Sequence, residues 1–238
     1  MSATPAQSAP CSNFIRWLVV ASAAIALCLV GYGVFLTPAT RARSIAAAVA
    51  ILLAYAAIGW FVIPMLSSRY PAALQVAEWA GLGAAAVFVA EICLEYALLP
   101  KDNTPWGLAE FGLVFFLYTC AGTWLGSRKQ KLREAIIGSA LSAIVSSIVW
   151  AVFILATFYL FWGTTRQHAV FQAEGNFDDF RQSGMSDFRA FITEDFFGAT
   201  FFHLLLGPLL AGVLGLAGGG IGKGLAVLRK RFARSRLD

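Results

Sequence analysis

"TEDFFGATFFHLLLGPLLAGVLGLAGGGIG", residues 193–222, is too apolar for water, yet it contains His203, Pro208 and a ladder of glycines. From position 197 to 222 it exceeds the ~20 residues with which a helix crosses hydrocarbon. Five comparable runs precede it, at 14–36, 44–65, 74–99, 107–126 and 135–162. Their sum sets the composition: 59% of the 238 residues are hydrophobic and 13% charged, with a mean hydropathy of +0.72. Soluble domains average about 25% charged residues. In lipid every backbone amide must find its partner inside the chain, and the alternation of barrel strands is absent. The expected fold is therefore all-α, a polytopic transmembrane bundle of six spans. A five-span arrangement, with residues 74–99 re-entrant, is the alternative.

Three units are expected: a disordered N-terminal tail over 1–13, one transmembrane bundle over 14–222 and a basic cytoplasmic tail over 223–238. Nothing basic precedes Arg16, and the first run is longer than a secretion signal's apolar region, so it reads as an uncleaved span. Cys11, Cys28, Cys93 and Cys120 form no C-x-x-C and read as small packing residues.

Basic residues mark the inner side of a membrane. Arg128, Lys129, Lys131 and Arg133 crowd one short loop, and Lys223, Arg229, Lys230, Arg231, Arg234 and Arg236 fill the tail. Segment 163–196 carries six acids against three arginines and is expected outside. The location expected is a plasma membrane of the bacterial inner-membrane kind, with the C-terminus cytoplasmic. The charge rule does not choose between six and five spans. Arg16 and Arg69 exchange sides with Arg41 and Arg43, and 12 of the 18 Lys and Arg residues are inside either way. Tryptophans 17, 60, 79, 106, 124 and 162 fall near span ends, in the headgroup layer; Trp150 alone is mid-span.

Helices in lipid associate through small residues and shared polar contacts. Gly138, Ser142 and Ser146 in the fifth run, and Gly207, Ala211, Gly215 and Gly219 in the last, recur at four-residue steps and read as packing faces. Pro208 removes the donor to the carbonyl of Leu204, so a kink is expected there.

The chemistry-bearing residues are few. Glu91 and Glu95 are four apart and share a helix face. At ~1.5 Å per residue from Leu99 they lie ~12 Å and ~6 Å deep. A charge at a helix centre costs about 2.5–3.5 kcal/mol, more than the neighbouring apolar residues return for two glutamates, so neither is expected to face lipid. Glu110 and His203 enter from the same side at similar depth. Glu91, Glu95, Glu110 and His203 are therefore expected to converge on an outward-opening polar cavity for a proton or cation. The plain alternative is that Glu95 and Glu110 reach headgroup water or pair with Arg41, Arg43 or Lys101, while His203 hydrogen-bonds a neighbouring carbonyl.

Other chemistry lacks its residues. "AGGGIGKG" has no Ser or Thr after Lys223 and follows a membrane helix, so it is no phosphate loop. There is no H-E-x-x-H for zinc, no nucleophile and base at catalytic spacing, and no calcium-loop spacing in "GNFDDFRQSG". No catalytic residue, metal, cofactor or nucleic-acid partner is expected.

In "SDFRAFITEDFF" Ser186 caps, and Phe188, Phe191 and Ile192 share a face, as in an interfacial outer helix. The tail, with Leu225, Leu228 and Phe232 on one face, reads as a juxtamembrane helix lying on anionic lipid. Two functions fit: first, a non-catalytic structural, accessory or regulatory subunit that forms a homo-oligomer or docks on a partner subunit through its glycine and serine grooves; second, a small proton- or cation-linked transporter or channel.

Overall fold

The computed structural model describes residues 10–99, 104–129 and 131–234. Lys101, Arg236 and the first nine residues of the expected tail lie outside the described residues. All regular elements among the described residues are helical: α1 (Pro10–Leu36), α2 (Ala42–Ala57), α3 (Ile63–Arg69), α4 (Pro71–Leu98), α5 (Thr104–Lys129), α6 (Leu132–Leu160), α7 (Thr165–Glu174), α8 (Asn176–Ser183) and α9 (Phe188–Arg234). A π-helical stretch, Ile58–Val62, joins α2 to α3. Pro64 explains it, because its ring cannot donate to the carbonyl four residues back and crowds it, so the turn before it widens. Counting α2–α3 as one rod, six helices are long and apolar enough to cross a membrane, and residues 71–98 form one of them without a break.

α6 is the central helix. In its apolar window 61% is buried, against 22–33% in the other five. Its small face explains this, since Gly138, Ser139, Ser142, Ala143, Ser146 and Ser147 are all buried and let α1, α4 and α9 approach. Ser142 returns its hydroxyl to the carbonyl of Gly138 (2.8 Å). Ser139 instead donates across to the carbonyl of Tyr118 on α5 (2.9 Å), and Ser146 meets the Tyr118 hydroxyl (2.6 Å).

The glycines of α9 are packing residues, and they face two helices at once. A Cβ on Gly215 would stand 2.7 Å from the carbonyl oxygen of Ala135 and the Cβ of Ser139 on α6. From the other side, a Cβ on Gly122 of α5 would stand 2.6 Å from the carbonyl oxygen of Gly215. One turn on, Gly219 repeats the arrangement between Gly126 and Ala135. A Cβ on Gly207 would meet the Ser147 hydroxyl at 2.8 Å, and Ala211 is fully buried. By contrast, Cys28 and Cys93 are exposed and Cys120 half-buried, all free thiols, so two of the cysteines do not pack inside the bundle.

α9 runs 47 residues through Pro208. The carbonyl that Pro208 deprives is that of Leu204, and it is not left bare, because the Tyr55 hydroxyl donates to it from α2 (2.6 Å). At ~1.5 Å per residue α9 is ~70 Å long, over twice the ~30 Å of hydrocarbon. It therefore projects at both ends. At its start the expected outer helix is continuous with the span, and its apolar face is covered by protein. Ile192 is buried with Phe158 and Phe171, and Phe188 stacks on Phe177 of α8 (4.6 Å). Arg41, in the turn between α1 and α2, is also held here. Glu194 accepts from its backbone N–H (2.8 Å) and pairs with its guanidinium (3.7 Å).

Tyr55→Phe is expected to cost about 1–3 kcal/mol by leaving a buried carbonyl unpaired. In Pro208→Ala, where the helix supplies its own donor, the same change is expected to cost much less. Thermal unfolding of the four proteins in detergent, read as a double-mutant cycle, checks this.

Candidate functional site

Two polar anchors set the end of the bundle where α6 passes into α7. Gln167, buried on α7, donates to the carbonyl of Phe158 (2.8 Å) and accepts from the backbone of Gly163 (3.0 Å), which folds α7 back over the end of α6. Arg166 then donates to the carbonyls of Tyr96 and Ala97, the unpaired last turn of α4. These contacts bring the C-terminal end of α7, and with it Glu174, beside Glu95.

The result is a cavity of about 550 Å³ between α4, α5, α6, α7 and α9. Glu91 and Glu95 of α4, Glu110 of α5 and His203 of α9 all line it, so the four residues grouped from sequence meet in one place. Two more acids join them, Glu174 at the end of α7 and Asp195 near the start of α9. No Lys or Arg is among the lining residues. Glu91, Glu95 and Glu110 lie within Coulombic reach of one another, and Glu174 is in reach of Asp195 and Glu91. The three glutamates also form the back wall of a smaller groove of about 260 Å³ between α4 and α5, whose other lining is apolar (Val87, Leu94, Leu98, Trp106, Leu113).

Glu174 at the end of α7 and Glu95 of α4 interact across this cavity. Glu174 is an exposed residue at the edge of the cavity, yet the protein around its carboxyl raises it above the usual range, and its contacts with Glu95 and Asn176 oppose that shift. Asn176 Nδ2 donates to Glu174 Oε2 at 2.7 Å.

His203 is half-buried on an aromatic floor. It stacks on Trp150 (centroids 4.0 Å apart, planes 24°), lies near-parallel to Phe111 at 6.1 Å and meets Phe88 edge-on at 5.9 Å. Its Nδ1 lies 3.3 Å from the carbonyl of Ala199, the modest structural contact foreseen for it. With Nδ1 as donor, Nε2 remains an acceptor. Among the described residues no three His, Cys, Asp or Glu side chains are arranged to hold a metal ion.

Sequence reasoning missed Glu174 and Asp195. In the sequence both stand only among the six acids of segment 163–196, although they belong to a segment tethered to the end where Glu95 and Glu110 enter. Trp150 stood out as the only mid-span tryptophan, and its place beneath His203 explains the exception. Neither the protein-family models, nor the curated proteins, nor the solved structures compared with this chain give a match.

A carboxyl raised by folding stabilises the fold below the ordinary Glu range and loses that contribution as pH rises through its folded value. Wild-type melting temperature is thus expected to decline as pH rises from about 4.3. Glu174→Gln, which stays neutral, is expected to flatten part of the decline. Melting curves in detergent between acid and neutral pH give the comparison.

Proposed function

We propose that this multi-pass membrane protein takes up a monovalent cation in exchange for a proton at the outer acidic cavity, as a small proton- or cation-linked transporter or channel. The carrying observation is one cavity that gathers Glu91, Glu95, Glu110, Glu174 and Asp195 with no basic residue in its lining. Carboxyls so close hold either protons or a cation, because the low dielectric penalises several bare charges together. A cation entering among Glu91, Glu95 and Glu174 displaces protons held there, because the same carboxyls cannot carry both at full occupancy. We assign it no catalytic step.

The orientation proposed is that of the sequence reading, in a plasma membrane of the bacterial inner-membrane kind. The C-terminus is cytoplasmic, and α7, α8 and the start of α9 form a cap at the outer headgroup layer. The other reading, an accessory subunit that docks through its small-residue grooves, is less favoured. The seams at Gly122, Gly215 and Gly219 are already filled by the chain's own helices, which leaves less of them for a partner.

In weakly buffered detergent solution, adding sodium, potassium or methylammonium is expected to release protons from the wild-type protein. Glu95→Gln and Glu91→Gln should release far fewer. Equal release from all three proteins, or none with any of the three cations, removes the reading.

A further inference from the structure

At the opposite end of the bundle from the acidic cavity, the last turns of α5 and the extension of α9 enclose a second pocket, of about 660 Å³. Its lining joins two chemistries. Arg128 on α5 and Arg229 and Lys230 on α9 supply three positive charges, while Trp124, Cys120 and Leu225 supply an apolar wall. No acid lines it, and none of the three bases belongs to an ion pair among the described residues. Arg128 is held with its guanidinium over the Trp124 ring, 4.6 Å from the centroid. The two helices converge here because Gly222 lies against the backbone of Thr123 and Ser127, so no side chain separates them.

We propose that this pocket binds the phosphate headgroup of an anionic phospholipid, with an acyl chain laid along α9. The inference is independent of the cation reading. Three observations select this occupant. Uncompensated bases at the ends of two spans fall where the lipid phosphate layer lies. Ile221, Leu225 and Leu228, which follow one another along one face of α9, are 48–55% exposed and require an apolar cover beside those bases. A planar guanidinium offers paired donors to phosphate oxygens. The C-terminal dipole of α5 opposes an anion, but it amounts to about half a charge against three whole ones. The basic tail was expected to rest on anionic lipid by itself; the pocket adds α5 as a second wall and so makes the contact a site rather than a diffuse attraction.

The test uses the full chain, stripped of lipid, with binding read by native mass spectrometry. The probes are phosphatidylglycerol, phosphatidylcholine of matched chains, and inorganic phosphate. Each pocket base is expected to contribute about fivefold, so the triple variant Arg128→Gln, Arg229→Gln, Lys230→Gln should lose phosphatidylglycerol affinity about a hundredfold. A control with equal charge loss at the same end but outside the pocket lining, Arg69→Gln, Lys223→Gln, Arg231→Gln, should lose markedly less than the pocket variant. Equal losses in the two variants, equal binding of the two lipids, or displacement of phosphatidylglycerol by millimolar phosphate would each overturn the site. The last would mean a free anion. A measurement without pocket variants uses Cys120 as the only thiol, with Cys11, Cys28 and Cys93 changed to Ser. Maleimide labelling is expected to slow severalfold in phosphatidylglycerol vesicles relative to phosphatidylcholine; equal rates contradict the proposal.

Discussion

The contact on which the structure depends is the close approach of three backbones at Gly215 and Gly219. In lipid, apolar side chains gain nothing by leaving acyl chains for one another, so helices must be held by dispersion between closely fitted surfaces. Gly215 has α6 on one side and Gly122 of α5 on the other, with no space for even a methyl group on either. That fit fixes the register of α9. A slip of one four-residue step would move α9 by ~6 Å, lifting His203 off Trp150 and Asp195 away from Glu174. The seam near one end thus determines the geometry of the cavity at the other.

Several polar groups are satisfied within the fold, while others face the cavity. The carbonyl freed by Pro208 takes the Tyr55 hydroxyl, and the last turn of α4 takes Arg166. Glu194 takes Arg41, whereas its neighbour Asp195 lines the cavity. Adjacent acids of one helix therefore do different work, one tying the α1–α2 turn to α9 and the other adding charge to a space without a base. Five acids around one cavity whose lining has no Lys or Arg carry an electrostatic cost there. A cation or protons offset it.

Much of this was legible in the amino-acid order because lipid imposes strict periodicity and length. The six apolar runs correspond to the six long helices, and the small residues at four-residue steps in 138–146 and 207–219 lie in the contacts of α6 and α9. Glu91 and Glu95 share a face because i and i+4 must. What stayed hidden depends on contacts between distant segments. Gly122 and Gly126 have the same four-residue step, but an isolated pair in a span does not name its partner. Tyr55 answering Leu204, and Glu174 reaching Glu95, follow from how α2 and α7 fold back, which local pattern does not encode. The outer segment read as an interfacial helix because Phe188, Phe191 and Ile192 do form an apolar face. Its cover is α7, α8 and the end of α6, which only the tertiary fold supplies.

The central claim is that the outer acidic cavity is built to hold a cation. Crystals of the detergent-purified protein soaked in rubidium, with anomalous differences collected at the rubidium edge, address it directly. The account predicts a peak within coordination distance of Glu95 and Glu174 that weakens as the soak is made acidic. A cavity without a peak at any pH, with rubidium ordered elsewhere on the protein, would contradict it.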